Sequence, residues 1–107
     1  MIFDHRTYTC RAGTVQKHLQ LYRERGLEVQ RKHLGEPILY AFTETGDVNS
    51  YVHVWVYEDA ADRAKKRAAM AADPAWQAYL QASAEAGYLI RQENKILVAA
   101  PFIEHKR

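Results

Sequence analysis

One cysteine, Cys10, is all the chain has, so no internal disulfide can form. A lone thiol fits a reducing compartment, and the cytoplasm is the expected location. No apolar run reaches the roughly 20 residues that a membrane span needs. The first residues, Met1-Ile2-Phe3-Asp4-His5, lack a basic stretch followed by an apolar one, so no signal peptide is expected. An excess of one charge is missing too. The 15 Lys and Arg nearly balance the 13 Asp and Glu, for a net +2. Nucleic-acid binding would call for a basic stripe, so no nucleic-acid partner is expected. There is no phosphate-binding glycine loop and no nucleophile elbow. His5, His18, His33 and His105 are scattered, without metal-ligand spacing or a cysteine cluster. Neither a metal nor a resident cofactor is expected.

What is present fits one globular domain over residues 1–107, with 48% hydrophobic and 26% charged residues. Its most ordered pattern is Asn49-Ser50-Tyr51-Val52-His53-Val54-Trp55-Val56-Tyr57. Alternate residues of a strand point to opposite faces of the sheet. Val52, Val54 and Val56 therefore make one aliphatic face. Tyr51, His53, Trp55 and Tyr57 make an aromatic face with an imidazole in it. Neither suits water, which predicts a central strand covered on both sides.

The remaining elements follow in order. Ile2 to Cys10 reads as a strand with Phe3, His5, Thr7 and Thr9 on one face and Asp4, Arg6 and Tyr8 on the other. Gly13 turns the chain and Thr14 is the expected cap of a helix over 15–25. Gly26 stops that helix, and 27–34 reads as a second segment at an angle. Gly35-Glu36-Pro37 breaks it. Strands over 38–45 and 49–57 form a hairpin. Asp59 caps a helix over 60–72, whose Ala60, Ala64, Ala68 and Ala71 share a face expected to lie near the sheet or to leave space there for a ligand. Arg63, Lys65 and Lys66 read as its solvated side. Asp73-Pro74 restarts a helix that carries Trp76, Tyr79 and Leu80 and ends near Gly87. A last strand covers 89–99, and Phe102 and Ile103 suggest a docked tail.

Strand, helix, strand, strand, helix, strand is the ferredoxin-like βαββαβ order of the α+β class: a four-stranded antiparallel sheet with helices on one face. The other face would leave three valines bare, at roughly 1.5–3 kcal/mol each. A second copy packing sheet to sheet covers them, so a homodimer is expected, a dimeric α/β barrel with Val52, Val54 and Val56 at its interface.

Arg6-Thr7-Tyr8-Thr9 with Gly13-Thr14, then Leu19 and Tyr22 before Gly26, resembles the start of a NIPSNAP domain. So do Val52 to Asp59, Arg63, Arg67 and Asp73-Pro74-Ala75-Trp76, and the resemblance runs on through Gln92 and Leu97 to Pro101-Phe102. It implies the same dimeric α/β-barrel fold and no established catalytic activity. Eukaryotic members are linked to mitochondria, vesicles and mitophagy signalling. Without a targeting extension, this chain resembles a stand-alone bacterial version. The wider superfamily holds cofactor-free and haem-degrading monooxygenases. The haem-degrading members rely on an Asn, a Trp and a His lining the cleft between helices and sheet. Those positions fall here at Arg6, between Lys66 and Met70, and between Trp76 and Tyr79. That departure speaks against haem degradation.

Two functions stay open. One is a binding domain that takes a small hydrophobic or anionic molecule, or another protein. The other is a small cofactor-free or haem-linked monooxygenase or isomerase acting on an aromatic or polyketide-like substrate. The candidate lining is Arg6, Tyr8, His53, Trp55, Tyr57, Arg67, Trp76 and Tyr79. His53 is the one candidate catalytic group, as a general base, or else a core histidine bonded to a neighbour. Arg6 needs an anion, from Asp4, Glu58 or a ligand carboxylate or phenolate.

Overall fold

A computed structural model describes residues 1–105. In chain order the elements are β1 (Ile2–Cys10), α1 (Val15–Arg25), α2 (Leu27–Leu34), β2 (Leu39–Phe42), β3 (Ser50–Tyr57), α3 (Ala60–Ala72), α4 (Pro74–Ala86) and β4 (Leu89–Val98). The strands form one antiparallel sheet in the order β2-β3-β1-β4. This is the ferredoxin-like arrangement, with each helical connection broken into two segments.

The alternation in β3 places its two faces as its sequence dictates. Tyr51, His53, Trp55 and Tyr57 are buried under the helices. Trp55 and Tyr57 pack with Leu34 of α2 and Met70 of α3. Tyr51 packs with Cys10 of β1 and Val15 of α1. Truncating Trp55 to alanine would cost about 3–5 kcal/mol through the cavity left behind. On the opposite face, Val52 and Val54 are half-buried and Leu39 and Leu97 lie open.

Local chemistry fixes the helix ends. Asp59 accepts from the Asp62 amide at 2.8 Å and Asp73 accepts from the Ala75 amide at 2.9 Å. Each such cap is worth about 1 kcal/mol. Thr14 departs from expectation. Its hydroxyl donates back to the Arg11 carbonyl at 2.7 Å, so it closes the preceding turn and caps no amide. Gly26 stays in the helical region at φ −114°, so it is not a left-handed stop. A methyl group there would lie 2.9 Å from Tyr22 and 3.1 Å from Tyr79. Glycine is required because two tyrosine rings close over the backbone at the α1–α2 bend.

Three sequence expectations need correction. β2 spans only Leu39–Phe42, because Thr43, Asp47 and Ser50 spend their hydroxyls and carbonyl on one another and bend the chain into a loop. The alanine stripe of α3 points away from the sheet: Ala60, Ala64, Ala68 and Ala71 are all exposed. Arg63, Lys66, Arg67 and Met70 occupy the inward side instead. Long arginine stems cover more apolar surface than methyl groups do, and the buried Asp4 draws Arg63 toward the sheet. Finally, Phe102 and Ile103 are exposed, and the tail touches the open face through His105, whose ring lies 5.1 Å from Phe3.

Gly26→Ala tests the crowded bend. Better helix propensity would add about 1 kcal/mol, but overpacking costs roughly 1–3 kcal/mol. Net destabilisation in urea unfolding is expected, and a midpoint equal to or above wild type would show that the tyrosines yield freely.

Candidate functional site

β3 sets His53 at the centre of the helix-facing surface. The register puts Arg6 of β1 beside it on one side and Tyr40 of β2 on the other. Tyr40 stacks on the imidazole at 4.9 Å, and Tyr8 meets it edge-on at 4.6 Å. Two residues along the same face, the Trp55 indole N–H donates to Nδ1 of His53 at 2.7 Å. An indole nitrogen only donates, so Nδ1 must be the acceptor and the ring proton sits on Nε2. His53 is 2% exposed, and among the described residues no group hydrogen-bonds to Nε2. Burial, with Arg6 adding to it against the opposing charge of Asp4, pushes the imidazole pKa down to about 3. At neutral pH this histidine is an uncharged Nε2–H donor.

A buried carboxylate organises the charges behind it. Asp4 of β1 has no exposed surface. It accepts from Arg6 at 3.1 Å, from Arg63 of α3 at 3.0 Å and from Asn94 of β4 at 3.1 Å. Burial alone would raise its pKa. The Asn94 hydrogen bond and the two guanidiniums outweigh that and hold it below the ordinary 3.8. Arg6 also donates from Nε to the Tyr8 hydroxyl at 2.9 Å. Of the anions open to Arg6, Asp4 supplies its ion pair. Arg63, read from sequence as solvated, is the second cation on that carboxylate.

His53, Arg6 and Tyr8 border a cleft of about 380 Å³ between sheet and helices. Arg6, Tyr8, His53, Arg67, Trp76 and Tyr79 all line it. Trp55 and Tyr57 do not; both are wholly buried in the core. Trp55 acts on the cleft indirectly, through the His53 tautomer. Arg67 lies beside the Tyr57 hydroxyl, whose pKa burial raises and this guanidinium opposes. None of the lining residues is acidic, while two are arginines. The cleft is therefore cationic, walled by aromatic rings, with an imidazole N–H in its wall.

Sequence reasoning missed several lining groups. Tyr22, Tyr40 and Tyr51 are part of the wall, and Gln92 of β4 joins them. Tyr40 was within reach, since an antiparallel hairpin register sets it opposite His53. His18 is also fully buried, and its Nε2 lies 2.8 Å from the Tyr51 hydroxyl. Nothing in local sequence marks it, because its partner is 33 residues away.

The model of the NIPSNAP family matches residues 3–104. The chain is similar to an uncharacterised NIPSNAP domain protein from Burkholderia xenovorans, at 34% identity over 98% of this chain and 100% of that one, with a TM-score of 0.90. It is also similar to a NIPSNAP family protein of unknown function from Agrobacterium tumefaciens. That match has 36% identity over 96% of this chain and 91% of that one, with a TM-score of 0.88. A putative antibiotic biosynthesis monooxygenase from Nitrosomonas europaea shares the fold at 10% identity, over 92% of this chain and 98% of that one, with a TM-score of 0.64. No protein of curated function matches the chain.

Acid unfolding separates the two buried groups. As pH falls below the ordinary histidine value of 6.5, the unfolded chain takes a proton that folded His53 refuses until about pH 3, so stability declines across that window. The Asp4 contribution is intact above 3.8 and is lost as pH falls through the lower folded value. Asp4→Asn strands two guanidiniums and should cost about 3 kcal/mol at pH 7. It should also abolish the loss of stability below pH 4 that this carboxylate causes, while the decline that begins near 6.5 remains. Urea midpoints measured against pH in both proteins check this, and an unchanged acid limb in the variant would contradict it.

Proposed function

The chain belongs to the NIPSNAP family, and on that premise we propose that it is a homodimeric binding domain whose helix–sheet cleft holds a small hydrophobic or anionic molecule. The observation that carries this is the cleft itself. Its volume of about 380 Å³ is in the range of small-ligand sites, and it joins apolar walls to a few converging polar groups. Beside the packed core of Trp55, Tyr57 and Met70, this cleft occupies part of the space between the sheet and helices α3 and α4.

The enzyme alternative loses its base. With Nδ1 occupied by the Trp55 indole and the pKa near 3, His53 cannot accept a proton at neutral pH without breaking a buried hydrogen bond. The role left for it is donation.

The dimer rests on the open face. The helices lie on the other side, leaving half-buried Val52 and Val54 beside exposed Leu39 and Leu97, while Val56 and Phe3 of the same face are already buried within the chain. A two-fold axis through this face sets aliphatic surface against its own copy, the commonest closed symmetry.

Two measurements test these parts separately. Light scattering at micromolar concentration should give about 25 kDa, twice the 12.4 kDa chain, and Val54→Asp should halve it. A single-chain mass for wild type sinks the dimer. A thermal-shift panel of haem, quinols and aromatic carboxylates tests the cleft. A ligand at ten times its Kd adds about 1.4 kcal/mol and should raise Tm by roughly 5–10 °C. Silence across the panel removes the support for small-molecule binding, and a Soret shift with haem would revive the haem-linked enzyme.

A further inference from the structure

We propose that the cleft selects a planar aromatic carboxylate, its carboxylate held by the Nε2–H of His53 and the guanidinium of Arg67, and its ring set among Tyr8, Tyr40, Trp76 and Tyr79. This rests on the reading of the cleft as a binding site and narrows it to one ligand class.

The charge of the wall excludes most alternatives. Two arginines and no acidic residue line the cleft, so an organic cation meets repulsion. Arg6 is already committed to Asp4 and Tyr8, which leaves Arg67 as the lining guanidinium without a carboxylate among its described contacts. A guanidinium presents paired N–H groups that suit the two oxygens of a carboxylate.

His53 supplies the second, independent observation. It is 98% buried by its 2% exposure, it lines the cleft, and its Nε2 has no partner among the described residues. Its other nitrogen is fixed as an acceptor by Trp55. A donor of fixed sense rewards a ligand oxygen and leaves a hydrocarbon with an unpaired N–H, a loss of roughly tenfold or more in affinity. Phosphate esters fit less well. Their oxygens are strongly hydrated and call for many donors, whereas the rings of five tyrosines and Trp76 take up much of this wall. Rings of Tyr40 and Tyr22 stack at 4.9 Å with 13° between their planes, a flat surface that a planar body extends.

Calorimetry with 2-naphthoate and its neutral isostere 2-naphthamide, on the wild-type chain and Arg67→Met, tests this. Naphthoate should bind wild type at least tenfold more tightly than naphthamide, and Arg67→Met should bring the ratio close to one while naphthamide affinity holds. Arg67 is half-buried on a helix with exposed alanines, and circular dichroism with a thermal melt establishes that the variant folds. His53→Phe, which keeps an aromatic ring but deletes the Nε2 donor along with the Nδ1 acceptor of Trp55, should reduce the same ratio, with the same thermal melt establishing that it folds. Equal affinity for the two compounds in wild type overturns the carboxylate assignment and leaves the cleft as a neutral-ligand site. A preference for naphthoate that Arg67→Met and His53→Phe both leave intact overturns the donor assignment. Binding of neither compound, with no response across the wider panel, overturns this inference and the binding site together.

Discussion

The indole N–H of Trp55 donates to Nδ1 of His53 across two residues of one strand face, and much of the molecule follows from that contact. It exists because residues i and i+2 of a strand share a face, so an alternating sequence brings the indole to the imidazole without any help from tertiary structure. Tertiary structure then acts on the pair. Helices α2 and α3 bury Trp55 with Leu34 and Met70, which removes water as a competing acceptor. The imidazole is left with one proton, on one nitrogen, in a place where charging it is costly. A residue type usually prized for switching protonation is held here in a single state.

Asp4 is the electrostatic counterpart of that contact. One carboxylate binds β1 to β4 through Asn94 and to α3 through Arg63, while Arg6 holds it from its own strand. A buried ion pair seldom adds much net stability, since desolvation consumes most of its Coulomb energy. Its effect here is positional. It pulls the charged side of α3 inward and so brings Arg67, one helical turn beyond Arg63, to the cleft. The exposed alanines are the other consequence of that rotation.

The sheet, its two faces and most element boundaries were legible in the sequence because they rest on local signals: period-two alternation, caps at Asp59 and Asp73, and breaks at Gly35 and Gly87. The orientation of α3 was not legible. Alanines at helical spacing look like an inward face when each helix is judged alone, and only the distant Asp4 decides otherwise. The same limit hid His18, paired across 33 residues, and the part of Gly26 in admitting two tyrosines. Six of the eight residues nominated for the cleft line it, and the two that do not, Trp55 and Tyr57, share the correct face but sit deeper in the core. Face is written in alternation; depth depends on which helices arrive above it.

The state of His53 is the central claim, and long-range proton–nitrogen correlation spectra of the histidine side chains report it directly. A neutral ring with its proton on Nε2, unchanged from pH 8 to pH 5, is the expected result. A ring that protonates in that range, or one that carries its proton on Nδ1, would contradict it.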